Sequence, residues 1–136
     1  MLNPPESSFE ETSHDVDNNG AVLKLMWNKI GFLFTADIRA EAELELVQQR
    51  ANLKSTVLKV SHHGSKTSTT PQFLGTVDPE VAVICVGADN PFGHPSPEVV
   101  ERLTDRLGED NVYRTGQDGT IEFITDGKTL WVKAAS

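Results

Sequence analysis

Thr56-Val57-Leu58-Lys59-Val60-Ser61-His62-His63-Gly64-Ser65 sets a short apolar run against an abrupt polar stop. The run reads as a strand, because β-branched side chains are stiff at χ1 and pack well on a pleated surface. Upstream the pattern changes. Residues 38–51 are rich in helix formers (Ala40, Glu41, Ala42, Glu43, Leu44, Glu45, Leu46, Val47), with apolar side chains at three-to-four residue intervals and Asp37 placed to cap the N-terminus. Downstream, a polar loop over 66–70 leads to Pro71, suited to a first helical position, and a short helix reaching Gly75. Val81 to Val86 is a continuous apolar run of the kind buried on both faces of a sheet. Strands alternating with helices in this way predict a sheet covered by helices, an α/β layered architecture.

The flanks extend the pattern. Ala21–Trp27 and Ile30–Thr35 are two strands joined by Asn28-Lys29, which predicts an antiparallel hairpin with Asp37 just past its end. After Gly87 comes a loop, 88–95, and then a helix to Leu107 with Ser96 as N-cap and Pro97 in the first turn. Residues 111–114, 119–125 and 129–133 read as closing strands, the last two joined by the turn Asp126-Gly127-Lys128. Residues 1–20 are polar and end in Asp17-Asn18-Asn19-Gly20, so a poorly ordered N-terminal loop is expected there, ahead of one folded unit over 21–136.

With 136 residues the chain suffices for one domain that buries about two-thirds of its unfolded surface. Twenty Asp and Glu against 12 Lys and Arg give a net charge of −8, which argues against gripping nucleic acid through charge alone. Bound divalent metal would supply local positive charge, so a nucleic-acid substrate stays open. No apolar run approaches the roughly 18–20 residues that cross a bilayer. Met1-Leu2-Asn3-Pro4-Pro5 lacks the basic start and apolar middle of a signal peptide, so the chain is expected to begin a soluble protein or a piece of a larger one. The single cysteine, Cys85, rules out an intramolecular disulfide and is expected to be a small core residue.

The chemistry-bearing residues are Asp37, His62, His63 and His94. Each lies at a strand end or in the loop beyond it, where ligands bind in α/β sheets. Neutral imidazole with carboxylate suits zinc or manganese. The same residues also fit a plainer account, in which Asp37 caps a helix and the histidines are solvated loop side chains. His14 matches no such pattern and is expected to be a solvated loop histidine.

Three ordered motifs carry a resemblance: FLFTADI at 32–38, VLKVSHHGSKTS at 57–68 and NPFGHPSPEV at 90–99. They resemble the late motifs of the ComEC-type metallo-β-lactamase domain, usually written LLTGDI, LKVPHHGS and GHPHPEV. NPPE at 3–6, DNNGAVLKL at 17–25 and YRTGQDGTIEF at 113–123 extend the likeness over nearly the whole chain. The resemblance implies the C-terminal half of an αββα sandwich, a mixed sheet covered by helices. A complete site in that fold holds two metals. An HxHxDH motif and a further histidine come from its first half, and a bridging aspartate and a late histidine complete it. The resemblance makes Asp37 the bridging carboxylate and His63 the late ligand, with His62 behind the metal or contacting substrate; the alternative order makes His62 the ligand. It puts His94 near the reacting phosphate, in substrate orientation or proton transfer; Ser65 and the loop over 66–70 are placed to hydrogen-bond a phosphate, the plainer account being a mobile surface loop.

Departures from the family pattern qualify this. Ala36 stands where the motif has glycine, and a modest backbone change is expected; Ser61 replaces a proline. No HxHxDH occurs in the chain. Two ligands cannot close a catalytic dimetal centre, so the first half is expected upstream in a longer protein, the other reading being a truncated remnant. In the intact domain the resemblance implies a metal-dependent nuclease acting on DNA during competence DNA uptake (transformation), with divalent metal (Zn or Mn) as cofactor. It also implies a bacterial membrane protein whose channel portion precedes this soluble domain. This chain alone is expected to bind metal weakly or not at all, to hydrolyse nothing, and to self-associate through an exposed sheet face. The competing functions are a stand-alone metallohydrolase of a phosphoester or other small substrate, and a non-catalytic module contacting protein or DNA.

Overall fold

Cross-strand pairing of Leu25 with Phe32 and Trp27 with Ile30 closes the expected hairpin of β1 (Leu23–Trp27) and β2 (Ile30–Phe34), with Asn28 left-handed in its turn. In this computed structural model, which describes residues 1–135, β3 (Val57–Lys59), β4 (Val81–Ile84) and β5 (Val112–Arg114) add in sequence order and in parallel. The result is a five-stranded mixed sheet, β1-β2-β3-β4-β5. Sequential parallel strands need crossovers on one side of the sheet, and the helices supply them. These are α2 (Ala40–Gln48), α3 (Pro71–Val77) and α4 (Pro97–Leu107). Thr70 and Ser96 accept from the Phe73 and Val99 amides, so α3 and α4 start with a side-chain cap followed by proline.

The core lies between that sheet face and the helices. Leu33, Leu58, Ala82 and Ile84 meet Ala42, Leu46, Phe73, Leu74, Val77, Val99 and Leu103, all buried. Each large side chain removed from water here stabilises by about 1.5–3 kcal/mol. The opposite sheet face carries Leu25, Phe32, Phe34, Val57 and Val83. Against it stands a separate two-stranded sheet of β6 (Ile121–Thr125) and β7 (Leu130–Ala134), with Phe123 edge-on to Phe32 at 5.7 Å. A groove of about 490 Å³ remains between them.

Several expectations needed revision. Asp37 does not cap α2. The chain leaves β2 through a left-handed Ala36, and the helix starts only after an extended Arg39. It stops at Gln48, where left-handed Arg50 turns the chain away. Residues 1–20 contain one helical turn, α1 (Asp15–Asn18), and a bridge from Asn3 to Val22. Buried Asn3 donates to the Asn18 and Gly20 carbonyls at 2.8 and 2.7 Å. A further helical turn, α5 (Thr115–Asp118), separates β5 from β6, and Asp118 accepts the Arg114 amide at 2.7 Å. Cys85 falls beyond the end of β4 and is half-buried, not sealed in the core.

Candidate active site

Because β2, β3, β4 and β5 are parallel, their C-terminal ends share one edge of the sheet. Asp37 follows β2, His62 and His63 follow β3, His94 lies in the loop after β4, and Thr115 follows β5. Topology therefore gathers residues spread over 79 positions of sequence, from 37 to 115, onto one rim.

Hydrogen bonds lock the turns that present them. The Thr35 hydroxyl donates to the Lys59 carbonyl at 2.6 Å, and Lys59 Nζ and the His62 amide both donate to the Ala36 carbonyl, at 3.2 and 3.0 Å. His62, His63 and Gly64 are consecutively left-handed, at φ 49°, 55° and 78°. For the two histidines that conformation costs about 1–2 kcal/mol each, and it persists because surrounding contacts fix it. A Cβ on Gly64 would lie 2.7 Å from Pro95, and the Gly64 carbonyl accepts the Ser96 amide at 2.9 Å. Only glycine lets the HHG turn sit this close to the GHP segment.

The His63 ring is oriented through Nδ1. Nδ1 lies 2.6 Å from the Cys85 carbonyl oxygen, which can only accept, so Nδ1 carries the hydrogen. In the neutral ring Nε2 is then a lone pair, and it faces Asp37 Oδ1 at 3.4 Å. Beside it, His62 has its ring 6.4 Å from His63 and 5.9 Å from His94. Burial pushes the His62 pKa down, against the opposing pull of Asp17 and Asp37, and favours the neutral imidazole. Its Nδ1 is buried with no hydrogen-bond partner among the described residues. His63 and His94 line a cavity of about 520 Å³ with Cys85, Gly87, Phe92 and Thr115.

Asp37 thus neighbours His63, and His62 neighbours both His63 and His94, along one rim. Ser65 does not join them: it is buried, and its hydroxyl pairs with Thr67 at 2.9 Å. His14 is half-buried with an unpartnered Nδ1. Among the described residues, no three His, Cys, Asp or Glu side chains converge to hold a metal ion. Two contributors escaped the sequence reading. Thr115 both donates to the Val86 carbonyl and accepts its amide, clamping the cavity wall. Glu43 is fully buried within α2, and its carboxylate accepts the amides of Thr69 and Thr70, fixing the loop beyond the HHG turn. Thr115 gave no signal at all. Glu43 gave a faint one, a charged residue at the border of the Ala42 and Leu46 stripe.

No protein-family model matches the chain. Its likeness is to competence proteins. It is 36% identical over 107 residues to ComE operon protein 3 of Bacillus subtilis (strain 168), a match covering 79% of this chain and 14% of that protein. With Competence protein ComA of Neisseria gonorrhoeae it shares 36% identity over 112 residues, 80% of this chain and 16% of the relative. Recombination protein 2 of Haemophilus influenzae is 41% identical over 87 residues, 64% of this chain and 11% of the relative. The chain therefore spans 11–16% of the length of these relatives. No helix among the described residues is long and apolar enough to cross a membrane.

Proposed function

We propose that Asp37, His62, His63 and His94 form the late half of a two-metal hydrolase site of the metallo-β-lactamase type, which cleaves DNA phosphodiesters during competence DNA uptake. The observation that carries this reading is the orientation of His63. With Nδ1 donating to Cys85, its Nε2 lone pair and the Asp37 carboxylate are two acceptors 3.4 Å apart. A metal cation beside them would satisfy both, in place of the proton that otherwise makes Nε2 and Asp37 an ion pair. A carbonyl on the far nitrogen is also the usual arrangement behind a metal-ligating histidine.

The donor chemistry fits zinc or manganese. Asp37 and His63 would hold it, and His62, with its orphaned Nδ1, stands next in line. A divalent metal there supplies an activated water and neutralises phosphate charge. His94, on the cavity wall, would orient the phosphate or transfer a proton. The described residues are too few to close the shell. The remaining ligands would come from upstream polypeptide, and relatives several times longer leave room for these and for a membrane channel portion. The half-covered apolar sheet face supports the same reading, since an αββα sandwich needs a second sheet there.

The test assays the intact polypeptide against DNA with manganese, beside Asp37→Ala. Hydrolysis is expected to disappear in the variant; hydrolysis persisting unchanged would refute the role of Asp37. The chain by itself is expected to show no tight zinc or manganese binding by calorimetry, and stoichiometric tight binding would overturn the half-site reading.

A further inference from the structure

Phe92 is 76% exposed in the loop between β4 and α4. That loop is not loose. The Asn90 side chain donates to the Gly87 and His94 carbonyls at 2.9 and 2.6 Å and accepts the Phe92 and His94 amides at 3.2 and 3.0 Å. The Phe92 ring is held 24° from the plane of the His94 imidazole, with centroids 6.0 Å apart, the spacing of an offset stack. Phe92, His94 and His63 line the same cavity of about 520 Å³, within the usual size of a small-ligand site. One side chain thus makes four hydrogen bonds that fix the backbone carrying this exposed ring at the mouth of the candidate site.

We propose that Phe92 is a stacking platform for an unpaired nucleobase next to the phosphate at His63 and His94, so that the site selects single-stranded over duplex DNA. This rests on the phosphodiesterase reading of the site. Every base has a π-face, so stacking on an aromatic side chain is strong and tolerant of sequence. In a duplex those faces already lie against neighbouring bases, and freeing one costs unstacking and unpairing. The charge balance points the same way. These 136 residues, with net charge −8, have little electrostatic hold of their own on a phosphate backbone, so stacking is the grip this part of the polypeptide can offer.

The test measures fluorescence anisotropy of a short labelled oligothymidylate, and of a blunt hairpin duplex, on the intact polypeptide without added divalent metal. Phe92→Ala is expected to weaken oligothymidylate binding about tenfold, equivalent to about 1.4 kcal/mol and within the range for one base on an aromatic ring. Phe92→Trp should restore it, and hairpin binding should not move. Circular dichroism checks that the variants fold. Oligothymidylate binding that is undetectable, or the same in Phe92→Ala, overturns the proposal. An equal loss for the hairpin also overturns it. Manganese-dependent hydrolysis is followed in parallel with a rise in KM at constant kcat expected for Phe92→Ala. Absent hydrolysis with Phe92-dependent binding sinks the nuclease reading and leaves the platform; hydrolysis with Phe92-independent binding does the reverse.

Discussion

Replacing Glu43 by glutamine tests whether a buried carboxylate holds the loop behind the HHG turn. Glu43 is fully buried, and its two oxygens accept separately from Thr69 and Thr70, the latter at 2.8 Å. Glutamine has the same shape but one acceptor, so an amide NH2 would face a backbone N–H donor. Losing a hydrogen bond to a charged acceptor and stranding that donor costs about 1–3 kcal/mol each way it is reckoned. Relief of a buried charge opposes this loss, because burial holds the Glu43 pKa above the ordinary glutamate value while the Thr70 and Thr69 amides pull it down. We expect Glu43→Gln to be destabilised by about 1–2 kcal/mol at neutral pH, a drop of several degrees in Tm. The pH dependence has a definite sign. With the folded pKa raised, the folded protein binds more protons than the unfolded chain between the two pKa values, and this stabilising term fades as pH rises through the folded pKa. Glutamine lacks the term, so the gap between the two proteins should be widest in mild acid and narrower at neutral pH. Urea unfolding followed by circular dichroism on both sides of the window measures it. Equal stability at both pH values would show that the carboxylate does not hold the loop, and a gap widening with pH would refute burial as the dominant cause.

Ala36→Gly removes a left-handed alanine at φ 47° just before Asp37. Relief of about 1–2 kcal/mol less the backbone entropy of glycine predicts a net gain of about 0.5–1 kcal/mol, read as a rise in Tm; a fall in Tm would show the turn is not strained by its Cβ. The chain alone is expected to self-associate, because Leu25 and Trp27, both 59% exposed, and the partly exposed Phe34 lie on the half-covered sheet face. Sedimentation velocity should show concentration-dependent association that Trp27→Glu weakens, and a compact monomer at all concentrations would refute it.

The motifs were legible because they rest on local rules. Ser96-Pro97 starts α4 where cap and proline chemistry place it, and Asp37, His62 and His63 could be assigned to strand ends from the runs before them. Asp37 as a helix cap was a local inference that failed, because the left-handed Ala36 and its bonds to Lys59 and His62 come from the neighbouring strand. Glu43 was barely legible for the same reason. A glutamate in a helix reads as solvated, and its burial depends on amides 26 and 27 residues away.

The sequence by itself determined the main strands and the three longer helices, the acidic composition, and the residue types available for chemistry, since periodicity, caps and charge act over a few residues; the single turns α1 and α5 left no such pattern. Tertiary structure alone decided which nitrogen of His63 faces Asp37, because that turns on a carbonyl 22 residues further along the chain. It also decided that His94 and Phe92 share a cavity with His63, through the parallel register of β3 and β4 and the close approach of Gly64 to Pro95. Such contacts join elements far apart in sequence, so the local pattern of either partner carries no trace of them.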